Sequence, residues 1–435
     1  MVVAGKRIIQ PPHAPASPSQ GQMRRAHIFL IHARRSIGLV GFGTYTPTFI
    51  QLINNLHMTI KISFLLLWLP IQLLLSQTQS PIRVDLEKAL ETTGECKLSS
   101  IASNVQYVPL EAKPGSFIKN VDRYTVSDDL ILVADETVGK VMKFDRKGHF
   151  LGDFLTKGKG PKEFLSINGL NINSKGEILV LKNNLTIEIF SKSGELINGF
   201  DYYGFSTGRW LSDDKILLVM DYIVSKGSVI VTIDRNGKNP LVCLKTTLDI
   251  SKIPYRPGFS CGRCAEGYYY FDPFIDTVYT INNKGEASIR CVFLHRKDHV
   301  NQKDMLSNAN DEFLISGEKY QFLQYYEFKD KIILQGIVQR HNSVVVYDKK
   351  TGTGTSRLKT IYFGLINDLD KGPEFFPRIT FTNGSAVQLL RQQEDLIHYI
   401  DWVFPESGMV KKGSYDIDLY KKLADYGNPV LMIVR

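Results

Sequence analysis

Acidic residues are missing from the first 84 positions, and no Asp or Glu precedes Asp85. Seven basic residues lie in that stretch before Arg83: Lys6, Arg7, Arg24, Arg25, Arg34, Arg35 and Lys61. Setting those seven aside from the 53 basic residues leaves 46 against 44 acidic ones, so the net charge of +9 belongs to the N-terminus. The remainder carries no field able to gather phosphates, which argues against a nucleic-acid binder. Cysteine is scarce: Cys96, Cys243, Cys261, Cys264 and Cys291 are the full set of five. An odd, small count cannot staple a disulfide framework and leaves at least one thiol free or paired between chains. Also absent are His-Glu-x-x-His and the Ser-x-Asp-x-Gly-x-Thr-Trp turns of sialidase-type propellers. Long hydrophobic runs are missing too. The longest, Ile62 to Leu75, contains Pro70 and is too short for a comfortable membrane span.

That run has a different use. Met58-Thr59-Ile60-Lys61 is a short basic start, the apolar run follows, and Ser76-Gln77-Thr78-Gln79-Ser80 is a small polar exit. The order is that of a secretory signal peptide. The expected organisation is a spurious or disordered extension over 1–57, a signal peptide over 58–77, a linker over 78–104 and one domain over 105–435. The mature protein is then expected to be exported, to the periplasm or the cell surface, and not to be an integral membrane protein.

Within 105–435 the chain repeats itself. A polar turn that opens on Asp, Asn or Ser and ends on Gly recurs at Asp145–Gly148, Ser191–Gly194, Asp234–Gly237, Asn282–Gly285 and Asp348–Gly352. The opening residue supplies a cap and the glycine supplies positive φ. A second polar turn precedes each repeat and feeds a solid apolar run: Leu130–Ala134, Ile178–Leu181, Ile216–Met220, Tyr268–Phe271 and Ile332–Leu334, with a sixth at Ala386–Leu390. Short apolar runs bounded by turns are strands covered on both faces. Four such strands per repeat, stacked radially, are propeller blades. The expected fold is all-β: a six-bladed β-propeller of four-stranded antiparallel blades with short helical insertions. Those insertions are expected at His299–Ser316 and Ile417–Ala424. The sixth repeat lacks a fourth strand, and Val105–Leu110 lacks a partner, so joining the two ends would close the ring and remove two open edges.

On these residues the chain resembles the secreted six-bladed β-propellers of Gram-negative gut-type bacteria, which are related in pattern to NHL-repeat propellers. Gly158-Lys159-Gly160-Pro161-Lys162-Glu163-Phe164 is similar to that family's Gly-x-Gly-Pro-Gly-Glu-Phe/Tyr loop, with Lys162 where a glycine is usual. Asn428-Pro429-Val430-Leu431 is similar to its closing strand. The resemblance implies an exported propeller working beside outer-membrane uptake machinery. It does not identify a ligand.

Candidate site residues follow from the blade pattern. In a propeller the loops between second and third strands share a face with the blade-to-blade connections. That places Asp135, Lys182, Asp221, Tyr222, Asp272, Arg340 and His341 with Lys159, Arg209, Arg256 and Arg378 on one rim. Arginine forks and carboxylates there suit an anionic or sugar-like ligand. No compact Asp-rich loop suggests calcium. Cys261-Gly262-Arg263-Cys264 lacks the further ligands zinc needs, and reads as incidental thiols or a local disulfide. The expectation is therefore a monomeric binding module for a small molecule, glycan or protein, with no cofactor, no metal and no nucleic acid. The alternatives are a metal-dependent lyase or lactonase-like hydrolase on the same scaffold, and a purely structural assembly component.

Overall fold

Each apolar run divides its side chains between two neighbours. In the second strand of blade one, Leu130–Asp135, Ile131 and Val133 pack with Val387 and Leu389. The alternate residues Leu132 and Ala134 pack with Ile178 and Val180. The same split recurs in Lys215–Met220, where Ile216 and Leu218 face one sheet and Leu217 and Val219 the other. A period of two therefore hides inside a continuous apolar run, because a neighbouring blade covers each face. Each such side chain contributes about 1.5–3 kcal/mol of burial.

The computed structural model describes residues 80–160, 162–221, 227–245, 259–273, 276–294, 320–339, 341–360, 364–381, 384–397 and 415–435. Pro81–Arg435 form one compact unit. Six sheets make a six-bladed β-propeller, and six apolar clusters fill the six wedges between successive blades. Blade one holds Arg123–Val126, Leu130–Asp135, Lys140–Asp145 and Phe150–Lys157 from the axis outward. Blade two holds Ile167–Ile172, Ile178–Lys182, Thr186–Phe190 and Leu196–Asp201. Blades three, four and five begin with inner strands Phe205–Ser212, Ser260–Cys264 and Tyr320–Glu327. Blade six takes Ile379–Thr380, Ala386–Leu390 and Val430–Val434 from the C-terminal part of the chain. Its outer strand is Val105–Pro109, antiparallel to Val430–Val434 with Val105 opposite Val434 and Pro109 opposite Val430.

The recurring turns share one chemistry. The Asp145, Asp234 and Asn282 side-chain oxygens each accept N–H bonds from the residues two and four positions on, at 2.8–3.0 Å. The glycine closing each turn has φ between 69° and 94°. This is an Asx-type cap followed by a left-handed residue.

The stretch read as a linker carries structure. Ile82–Asp85 adds a parallel fifth strand to the edge of blade four. The helix Leu86–Glu91 follows, capped by Asp85, and buries Leu86 and Ala89 in the wedge between blades four and five. The helix at Ile417–Ala424 stands where helical spacing placed it. Asp416 caps it at 3.1 Å, and it buries Tyr420 and Leu423. The expected insertion at 299–316 and the signal segment at 58–77 lie outside the described residues.

The Gly-Pro loop is a structural turn. Lys162 has φ 58°, the left-handed conformation for which the family's glycine is suited. The Glu163 carboxylate folds under the loop to accept the Gly160 N–H. Cys261 and Cys264 stand three apart on one strand and face opposite wedges, so they do not form a local disulfide. All five cysteines are free thiols.

Candidate functional site

The connection from blade five to blade six folds back on itself. Leu365 and Phe375 exchange backbone hydrogen bonds at 2.8 and 3.0 Å, which sets Glu374 beside Gly364. A side chain at Gly364 would place its Cβ 2.5 Å from Glu374 Cβ, so the close approach requires glycine. Next along the chain, the Phe376 N–H donates to Gln388 Oε1 at 2.7 Å. The Arg378 guanidinium then stacks 4.0 Å over the Phe376 ring.

These residues border a cavity of about 460 Å³. Its walls come from the approach to blade one (Asp122, Tyr124), the inner strand of blade five (Leu323, Gln324), Gln388–Leu390 of blade six and Tyr420 of the C-terminal helix. The volume lies within the usual range for small-molecule sites. Arg391 forks onto Asp395 at 2.9 and 3.1 Å, so that charge is already balanced.

Two polar atoms on this wall stand out. Glu374 is almost fully enclosed, with its side chain 5% exposed. Its Oε1 accepts from Tyr415 at 3.0 Å and pairs with Arg357 at 2.8 Å, while its Oε2 has no hydrogen-bond partner among the described residues. The Tyr124 hydroxyl is likewise buried without a partner among them. Burial pushes the Tyr124 phenol above its ordinary range. It also raises Tyr326 to about 12, against the pull of Arg378. Both phenols therefore stay protonated; Tyr326 already donates to Gln324 Oε1, which leaves the Tyr124 hydroxyl as the available donor.

The eleven residues singled out from sequence divide sharply. Arg378 lines the cavity. Arg209 stands half-buried on the inner strand of blade three, away from the cavity. Asp135 is fully buried and accepts three backbone N–H bonds, from Lys119, Asn120 and Val138. Lys182 is buried against Glu188 at 2.8 Å and donates to the Glu163 carbonyl. Asp272 is buried beneath the Tyr270 hydroxyl. Asp221 follows the second strand of blade three and donates its N–H to the Gly204 carbonyl. Lys159 and His341 are exposed, and Tyr222, Arg256 and Arg340 lie outside the described residues. Glu374, Tyr124, Gln388 and Phe376 were missed, because no turn or repeat marks them; the close packing of Gly364 on Glu374 appears only in three dimensions.

Gly204-Phe205-Ser206-Thr207-Gly208 has the spacing of a hydrolase nucleophile elbow. It runs into an extended inner strand, Phe205–Ser212, without the strand-to-helix turn an elbow needs. Among the described residues no group of three or more His, Cys, Asp or Glu is placed to hold a metal ion. No helix among them is long and apolar enough to cross a membrane.

A family model described as "Domain of unknown function (DUF4934)" matches residues 81–435. The chain belongs to the DUF4934 family. No curated protein matches it in sequence. The DUF4934 propeller is similar to a solved Bacteroides fragilis protein described as a "Putative exported protein". The two are 16% identical with a TM-score of 0.62, over 82% of this chain and 99% of that one. It is also similar to a DUF4221 member from Bacteroides vulgatus, at 10% identity and a TM-score of 0.44 over 77% and 96% of the two chains. At these identities the likeness to the B. fragilis protein bears on fold alone.

Proposed function

We propose that this chain is an exported, monomeric propeller that binds a glycan residue in the cavity between blades five, six and one, at the periplasmic or outer face of the cell beside uptake machinery. The observation that carries the reading is the pairing of an unpartnered acceptor, Glu374 Oε2, with an unpartnered donor, the Tyr124 hydroxyl, on the wall of one cavity. Buried polar atoms without partners cost stability, about 1–3 kcal/mol each. A ligand rich in hydroxyls offers a donor to the carboxylate and an acceptor to the phenol together, and Phe376 adds an apolar wall for a sugar ring. The signal-like segment at 58–77 supports export, and the B. fragilis protein of like fold is itself described as a "Putative exported protein".

Tyr124→Phe is the discriminating variant. It removes a hydroxyl that has no partner among the described residues, so thermal stability should hold or rise. Affinity for the bound saccharide should fall about tenfold, because a site built to bond a hydroxyl loses that bond. Calorimetry with a panel of mono- and disaccharides, and dipeptides as controls, checks both. Saccharide binding that survives Tyr124→Phe unchanged, or a panel in which only dipeptides bind, counts against the reading.

A further inference from the structure

We infer that the wedge between blades three and four holds a second binding site, one for an oxyanion, formed by Arg209 and Arg263. The site shares no lining residue with the glycan cavity, although the Thr380 hydroxyl of blade six donates to the Arg263 carbonyl at 3.5 Å. Arg209 pairs in register with Leu217, whose side chain faces blade four. Arg263 pairs in register with Tyr268, whose ring faces blade three. Residues directly opposite in an antiparallel pair project to the same side. The two guanidinium groups therefore enter the same wedge from opposite walls. Both approach one ring: Arg209 lies 5.6 Å and Arg263 4.7 Å from the Tyr268 centroid.

No carboxylate among the described residues pairs with either arginine; their side-chain neighbours are the Tyr268 ring and hydroxyl and, for Arg209, Cys261 and Tyr269. Three other half-buried arginines are paired, Arg235 with Glu177 at 2.9 Å, Arg290 with Glu327 at 2.6 Å and Arg357 with Glu374 at 2.8 Å, while Arg146 Nη1 has no hydrogen-bond partner among the described residues. Two like charges facing one ring, partly out of water and with no carboxylate partner among the described residues, repel. The shared aromatic face offsets part of that cost. An oxyanion offsets it directly, since each planar fork presents two parallel N–H donors to carboxylate, sulfate or phosphate oxygens.

The test uses the full chain and three probes, inorganic phosphate, sulfate and acetate, each titrated by calorimetry at ionic strength fixed with chloride. Saturable binding of at least one probe is expected. Arg209→Gln and Arg263→Gln should each weaken it about tenfold, and the double variant about a hundredfold or to undetectable. Arg378→Gln, in the glycan cavity, should leave it unchanged. The pattern across the probes tells a tetrahedral anion from a carboxylate. A thermal readout separates recognition from packing: in chloride alone the double variant should melt no lower than the parent, since it loses a repulsion. No saturable binding by any probe, binding undiminished in the double variant, or a double variant that melts lower in chloride would each overturn the inference.

Discussion

Asp135 and Glu374 are both buried carboxylates, and the fold uses them differently. Three backbone N–H groups converge on Asp135, which ties the approach to blade one to its second hairpin. Glu374 keeps one oxygen unpartnered on a cavity wall. Sequence placed Asp135 correctly at a loop end, but position along a strand does not reveal what a carboxylate accepts from. Lys182 shows the same limit, with its charge spent on Glu188. A third carboxylate, Glu327, has its side chain 3% exposed and holds Arg290, Lys349 and the Tyr325 hydroxyl at 2.6–2.9 Å. Burial alone would raise its pKa; Arg290, and then Lys349, hold it below the ordinary value of 4.5. A folded pKa below the unfolded one stabilises above the unfolded value and loses that contribution as pH falls through the folded one. Glu327→Gln should therefore cost about 3–5 kcal/mol at pH 7, as for other broken buried pairs. The gap from the parent should shrink below about pH 4.5. Urea melts between pH 3 and pH 7 measure it, and a gap as large at pH 3 as at pH 7 would refute the role.

At the scale of elements, the capped turns were the most legible feature, because both halves of their chemistry are written locally. A polar side chain opens the turn and a glycine closes it. What the glycines touch was not legible. Gly148 has φ 90°, and a Cβ there would lie 2.0 Å from the Pro109 carbonyl oxygen, on the strand that completes blade six. Gly176 has φ 80° but would meet only the flexible Lys192 side chain, at 3.4 Å. Alanine at either position carries the left-handed cost of about 1–2 kcal/mol. Only Gly148→Ala also displaces backbone, so it should lose about 1–3 kcal/mol more than Gly176→Ala. Equal losses in denaturant melts would show that the contact does not matter. The strand Ile82–Asp85 was missed because its four residues carry no repeat signal and its parallel pairing partner lies some 200 residues away.

For the whole molecule, blade count and ring closure were readable because they follow from counting: six apolar runs, one missing strand and one spare. The cavity was not, since its walls come from residues near 122, 324, 374, 388 and 420 that no spacing connects. Closure also makes a prediction. Removing residues up to Leu110 takes away the outer strand of blade six and, with it, Val84, Leu86, Cys96, Leu98 and Val108 from three wedges. The truncated chain should show a broad, early urea transition in place of the single sharp one expected of the full chain. A shortened chain that melts as sharply and as late as the parent would deny the N-terminal strand that role.

The strand that seals the ring precedes all the other blade strands given above except Ile82–Asp85, and the strand it seals against, Val430–Val434, follows them all. No nascent fragment that stops before Val430 contains both, so the circle stays open until that strand has been made.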